Sequence, residues 1–160
     1  MSRTIDDFRN FFRIDKNREN FKVKDATKSV IIMLSAQLKS NGITININGD
    51  EFLYNGLKRE YQQVILNIIN NAKDVLIYNK IENPMINIEL NSNKIIISDN
   101  AGGIPKNIID RVFEPYFTTK EQGKGTGMGL YMSKMIIEDN MNGELSVVNS
   151  DNGAIFMIKL

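Results

Sequence analysis

Three stretches of this sequence carry residue types that chemistry needs, at spacings that chemistry can use. The first is Glu60, Gln63, Asn67, Asn71 and Asp74, set three or four residues apart. At about 100° per residue these side chains form one narrow stripe along a helix. Opposite lies a broad apolar arc of Val64, Ile65, Ile68, Ile69, Ala72, Val75 and Leu76. Asparagine is a mediocre helix former, so Asn67 and Asn71 one turn apart in mid-helix need a reason. Either the stripe is a solvated face, or it is a row of oxygen ligands for a hard cation such as Mg2+.

The second stretch is Asp99-Asn100-Ala101-Gly102-Gly103-Ile104-Pro105, directly after the apolar run Ile95-Ile96-Ile97. A carboxylate at the end of a buried strand is costly unless it finds donors. The loop's own backbone N–H groups are one candidate source, and an adenine amino group is another. The paired glycines permit a tight turn or a close ligand approach. The third stretch is Gly123-Lys124-Gly125-Thr126-Gly127-Met128-Gly129-Leu130, which opens a helix at Leu130. Alternate glycines followed by a helix expose backbone N–H groups and the positive end of a helix dipole, a cradle for phosphates. Lys124 adds a mobile cation, and Thr126 can cap the helix. Gly follows Lys124 where a P-loop needs Ser or Thr, and G-x-G-x-x-G cannot be laid on these glycines in any register, so the cradle is of another type.

Composition removes several alternatives. The 160 residues contain no histidine and no cysteine, which excludes a Ser-His-Asp triad, a thiol nucleophile and His- or Cys-based zinc sites. Twenty basic against nineteen acidic residues give a net charge of +1, against a nucleic-acid or anionic-membrane binder driven by bulk charge. No apolar run approaches the roughly 20 residues of a membrane span, and the charged N-terminus is unlike a signal peptide. A soluble cytoplasmic domain without direct membrane contact is the expectation.

The elements that must position these stretches are legible from periodicity. Helical spacing predicts helices over Thr4 to Arg13, Lys24 to Ser40, Lys58 to about Lys80, Lys106 to Phe113 and Leu130 to Asn140. Asp15 to Asn20 reads as a linker. Short strands are expected at Phe21 to Val23 and Phe52 to Tyr54, and alternation marks a further strand at Ile43, Ile45 and Ile47. Hairpins are expected from Pro84 to Asn91 with Lys94 to Ser98, and from Gly143 to Asn149 with Ala154 to Leu160. Strands in antiparallel pairs with helices between the pairs predict an α+β fold. Its form is a two-layer α/β sandwich, with one mixed, mostly antiparallel sheet and helices on one face.

Taken in order, the motifs resemble the ATP-binding catalytic domain of sensor histidine kinases, in the superfamily shared with DNA gyrase, Hsp90 and MutL. Gln63-Val64-Ile65-Leu66-Asn67-Ile68-Ile69-Asn70-Asn71-Ala72 is similar to the N box, and Asp99-Asn100-Ala101-Gly102-Gly103 to the G1 box. Val112-Phe113-Glu114-Pro115-Tyr116-Phe117-Thr118-Thr119-Lys120 resembles the F box. Gly125-Thr126-Gly127-Met128-Gly129-Leu130 resembles the G2 box, and Gly153-Ala154-Ile155-Phe156 the G3 element. The likeness covers about Phe21 to Leu160 and implies a Bergerat-type ATP-binding fold over 21–160. Residues 1–20 would then hold the end of a dimerisation helix and a linker.

The resemblance also implies roles. Asn71 would coordinate Mg2+ on the triphosphate, with Asn67 one turn away supporting ion and phosphates. Asp99 would accept from the adenine amino group, flanked by Ala101, Gly103 and Ile104. Lys124 and the amides of Gly127, Met128, Gly129 and Leu130 would hold phosphates. Thr118 to Thr126, including Lys120 and Gly125, would form a lid, and Phe113 and Phe117 would anchor its base. Asp74 lies on the same cofactor-facing stripe, where many members carry Lys. Ala101 stands for the first glycine of the usual D-x-G-x-G, and Val75 for an aromatic.

Asn67 occupies the position where the ATPases of the superfamily carry a water-activating Glu, and an amide is no base at neutral pH. The expected activity is therefore phosphoryl transfer to a protein rather than hydrolysis, with an ATPase switch or a nucleotide-holding regulatory module as alternatives. The implied partners are ATP, a histidine-bearing dimerisation domain absent from this sequence, and a response regulator, within a homodimeric parent. No nucleic acid is expected.

Overall fold

The computed structural model describes residues 17–118 and 127–160. The helix expected over Thr4 to Arg13 lies outside them. The described chain runs β1 (Glu19–Lys22), α1 (Val23–Ser40), β2 (Thr44–Gly49), β3 (Leu53–Gly56), α2 (Lys58–Tyr78), β4 (Met85–Asn91), β5 (Lys94–Asp99), a 3-10 turn (Ile109–Arg111), α3 (Gly129–Met135), a π turn (Ile136–Asn140), β6 (Glu144–Asn149) and β7 (Ala154–Lys159).

Five strands form one sheet in the order β2-β4-β5-β7-β6. β2 and β4 are parallel and the other neighbours antiparallel, so the sheet is mixed and mostly antiparallel. Alternation explains its two faces. Ile86, Ile88 and Leu90 of β4, Ile95 and Ile97 of β5, and Ala154, Phe156 and Ile158 of β7 all point to the buried side. Register stacks them in rows, with Ile88 opposite Ile97 and Ile97 opposite Phe156. The helices cover that face through Val30, Leu34 and Leu38 of α1 and Val64, Ile65, Ile68, Ile69, Ala72 and Leu76 of α2. The result is the two-layer sandwich.

Four local outcomes differ from the periodicity reading. β1 and β3 form a separate two-stranded antiparallel sheet. Its first residues, Glu19 and Asn20, belong to the expected linker, and the Asn55 amide donates to Asn20 Oδ1 at 3.1 Å to hold the pair. Between Lys106 and Phe113 only the 3-10 turn forms, because so short a segment, bounded by Pro105 and Pro115, cannot offset the cost of helix nucleation. The last helix is α-helical only to Met135 and then widens into the π turn, where Gly143 N–H donates to Ile137 O at 2.7 Å. Val75, placed on the apolar arc, is 38% exposed at the end of α2.

Two further contacts fix where α1 and α2 start. Glu51 accepts from the backbone N–H of Lys24 at 2.7 Å and of Asp25 at 3.0 Å, capping α1 from a distant loop. The hydroxyls of Thr27 and Tyr61 are 2.7 Å apart in the core, joining the two helices. Burial pushes the Tyr61 phenol above its ordinary range, so it stays a neutral hydrogen-bonding group.

Candidate functional site

The helix stripe, the Asp99 loop and the start of α3 are all anchored on α2. Near its middle, Asn67 is half-buried and donates to Gly129 O at 3.3 Å and to Ser133 Oγ at 3.2 Å, while Gln63 donates to Asn67 Oδ1 at 3.1 Å. Ser133 is fully buried and donates on to Gly129 O at 2.8 Å. Asn67 is thus a tie between α2 and α3. Asn71 and Asp74 follow on the same stripe, both half-buried, and Lys73 Nζ lies 3.9 Å from Asp74 Oδ1. At the C-terminal end of α2, Asn79 donates to Ala101 O at 2.9 Å. Asn67 and Asn79 are twelve residues apart, about 18 Å along the axis, so α2 spans both ends of the arrangement.

Asp99 closes β5 next to the β6–β7 turn. Its Oδ1 accepts from the backbone N–H of Ala101 at 3.0 Å and of Ala154 at 3.3 Å. Burial pushes this carboxyl above the ordinary carboxylate value, and the two N–H groups pull it partly back. Both backbone donors use one oxygen, which leaves the other able to accept from a ligand. Gly102 and Gly103 take φ of +101° and +86°, a region closed to most side chains. Ala101 is not among the positive-φ residues, and its methyl is buried at 3% exposure. The alanine at the first position of this motif is therefore accommodated without strain.

The third stretch is described from Gly127 onward. Gly127 takes φ of +72°, and a Cβ there would collide with the backbone of Tyr116 and Phe117. That contact packs the start of α3 directly on the aromatic segment. Met128 is buried, and Met132 N–H returns to Met128 O at 2.8 Å as the helix opens. Gly129 lies against the Asn67 side chain, and Leu130 is half-buried on the core. Phe113 stacks edge-on against Phe156 at 6.3 Å and lies under Lys134 Nζ at 4.6 Å. The Arg111 guanidinium lies 4.7 Å from the Phe117 ring centre, and Thr118 is exposed. Lys120, Lys124, Gly125 and Thr126 lie outside the described residues.

Sequence reading missed the side chains that hold the Asp99 loop. Asn149 accepts from Ile104 N–H at 2.8 Å and donates to Ile104 O at 2.7 Å. Asn100 accepts from Met85 N–H at 2.8 Å and donates to Asn83 O at 3.0 Å. Gly102 N–H donates to Asn152 O at 2.9 Å. These pairings are long-range and leave no period in the sequence.

A half-buried carboxylate at a strand end, a glycine turn beside it, and a polar helix stripe leading to a glycine-opened helix define a nucleotide-binding two-layer sandwich. The family model for histidine kinase-, DNA gyrase B- and HSP90-like ATPases matches residues 56–160, and the chain belongs to that family. It is 37% identical over 112 residues to the two-component sensor PprA of Pseudomonas aeruginosa, covering 66% of this chain. It is 32% identical over 144 residues to sporulation kinase A of Bacillus subtilis, covering 88% of this chain. The matches span only 12% and 23% of those two relatives. Among solved structures, a nucleotide-free catalytic domain of histidine kinase ThkA superposes with a TM-score of 0.76 at 27% identity, covering 90% of this chain and 95% of that one. No helix among the described residues is long and apolar enough to cross a membrane.

Proposed function

We propose that this chain is the Mg-ATP-binding catalytic domain of a two-component sensor histidine kinase. The observation that carries the reading is α2 itself, which joins the Asp99 loop at its C-terminal end to the glycine-opened α3 near its middle, through Asn79 and Asn67. An extended nucleoside triphosphate fits such a span, with its base at Asp99 and its phosphates beside Asn71 and α3.

The donor set suits Mg2+ arriving with its nucleotide. Among the described residues no three Asp, Glu, His or Cys side chains group together as a resident metal site. Mg2+ is ordinarily held by one or two protein oxygens together with substrate phosphates and water. In this reading Asn71 would supply the protein oxygen, and a bound Mg2+ would offset the negative charge of the triphosphate. Asn67 supports the phosphate end by fixing α3, whose first N–H groups, with Gly127 and Met128, donate to phosphate oxygens. Lys124 and Lys120 would bring positive charge, and the resemblance gives Thr118 through Thr126, with Gly125, the role of a lid; residues 119–126 lie outside the described residues. Asp99, Ala101, Gly103 and Ile104 line the base, and Phe117 anchors the closing segment. Asp74 tunes charge beside the cation.

Transfer breaks the bond between the γ-phosphorus and the bridging oxygen, releases ADP, and forms a phosphorus–nitrogen bond to an imidazole. The acceptor imidazole lies on another domain, since these 160 residues include no histidine. The resemblance assigns residues 1–20 the end of a dimerisation helix and a linker, although Glu19 and Asn20 belong to β1; in this reading the parent is a cytoplasmic homodimer, and a response regulator receives the phosphoryl group next. Positioning and charge neutralisation supply most of the catalysis in such transfer, and an amide at Asn67 disfavours hydrolysis.

The test is reconstitution. The chain, γ-labelled ATP and Mg2+ are mixed with a histidine-bearing dimerisation domain of a related kinase. Acid-labile, base-stable label on that domain is expected, with none on the chain alone. Steady phosphate release without labelling would replace this reading with an ATPase. In the same assay Asn71→Ala is expected to remove the Mg2+-dependent part of ATP affinity, measured by calorimetry with and without chelator. Unchanged affinity removes Asn71 from the ligand set.

A further inference from the structure

The Asp99 loop crosses the end of β6, and Asn149 meets it there. Alternation puts Asn149 on the same side of the strand as Leu145 and Val147, toward the helices. Its amide pairs with both backbone groups of Ile104, at 2.8 Å and 2.7 Å, as a strand residue would. The approach is close on the other side too, since a Cβ at Gly103 would lie 3.0 Å from Asn149 Oδ1. The same hairpin holds two more points of the loop, through Asn152 O to Gly102 N–H and Ala154 N–H to Asp99.

We infer that Asn149 is a positioning residue for base recognition: its side chain fixes the Gly103–Ile104 backbone against the β6–β7 hairpin, so that the loop is already shaped when an adenine nucleotide arrives. The inference rests on the nucleotide-binding reading above. Neither hydrogen bond needs the nucleotide, and neither is part of the core. Losing them releases a backbone that must then be ordered on binding, which weakens affinity for the base more than it weakens the fold.

Calorimetry of Mg-ADP and of Mg-tripolyphosphate against the whole chain tests this, with melting temperature measured alongside. Asn149→Leu keeps the branching at Cγ and removes both hydrogen bonds. It is expected to weaken ADP about tenfold, the loss of roughly two neutral hydrogen bonds, and to leave tripolyphosphate affinity unchanged. Asn149→Asp keeps the acceptor for Ile104 N–H and is expected to fall between the two, a partial rescue that also serves if the leucine variant does not fold. In amide spectra, Gly102, Gly103 and Ile104 are expected to broaden in the nucleotide-free leucine variant. ADP affinity within twofold of wild type in both variants overturns the inference while leaving the nucleotide reading intact. Equal loss of ADP and tripolyphosphate, tracking a lower melting temperature, makes Asn149 merely structural and overturns it too. A wild-type chain that binds neither ligand overturns both.

Discussion

The C-terminal end and the middle of α2 reach the candidate cleft by different means. At its C-terminal end, the Asp99 loop is held by bonds from four separate segments: Asn79 of the helix, Asn83 before β4 with Met85 at its start, Asn149 of β6, and Asn152 to Ala154 of the last hairpin. Near its middle, the start of α3 is held to α2 by Asn67 and is packed through Gly127 on the aromatic segment. The proposed base end is therefore fixed by the sheet and its turns, and the proposed phosphate end by the pairing of two helices. The difference matches what each end must do. Telling one base from another needs donors and acceptors held in place before binding. Gathering phosphates needs N–H groups and positive charge, which tolerate looser placement because charge acts over longer distances.

The largest effect expected from breaking this contrast is at Gly153. A Cβ there would fall inside the contact distance of the Asp99 carbonyl oxygen and would also crowd its carboxylate, at 2.9 Å from Oδ1. Gly153→Ala must push β5 and the hairpin apart, at a cost of about 2–3 kcal/mol, with ADP binding lost at the same time. Gly102→Ala is the control: nothing lies within 4 Å of its Cβ, and only its φ of +101° opposes the change. Urea denaturation and calorimetry on the two variants read the contrast. Equal stability would show that the base end yields as easily as a free loop.

Asp99→Asn sharpens the comparison by separating binding from folding. The variant keeps an oxygen for Ala101 and Ala154 but loses the charge, so adenine nucleotide affinity is expected to fall about 10- to 100-fold. The nucleotide-free fold is expected to be no weaker. Burial raises the Asp99 carboxyl, so the native state holds its proton more tightly than the unfolded chain does. Stability from this group is then present below the ordinary carboxylate value and declines as pH climbs through the raised one. The asparagine variant lacks that decline. Its advantage over wild type, measured by chemical denaturation, is expected to grow with pH across that interval and then level. A variant that loses stability as fast as affinity would make Asp99 a structural acid.

Much of this was legible in the residues. Alternation at Ile86, Ile88 and Leu90 announces β4, and the polar stripe from Glu60 to Asp74 announces an amphipathic α2, because each pattern is local and repeats. The strand-end position of Asp99 and the glycines after it were legible for the same reason. What could not be read were pairings between distant segments: Glu51 capping α1, Asn149 on Ile104, and Asn67 reaching α3. A side chain that meets a group tens of residues away leaves no period behind. The segment from Lys106 to Phe113 failed in the opposite way, since helical spacing was present but the length between two prolines was too short for it to count.

Asn67 gives the smallest effect and the finest test of the phosphate end. Its amide donates to Gly129 O and Ser133 Oγ and accepts from Gln63, so as a tie it acts by holding α3 against α2. Asn67→Ala removes those bonds and leaves the buried Ser133 its bond to Gly129 O. The expected cost is about 1 kcal/mol of stability, with Mg-ATP affinity lowered only a few-fold through the displaced helix start. A direct ligand of ion or phosphate would behave differently, losing affinity heavily at unchanged stability. Comparing denaturation midpoints with Mg-ATP titrations therefore assigns the residue, and a loss of affinity without a loss of stability would move Asn67 from the helix pair to the nucleotide.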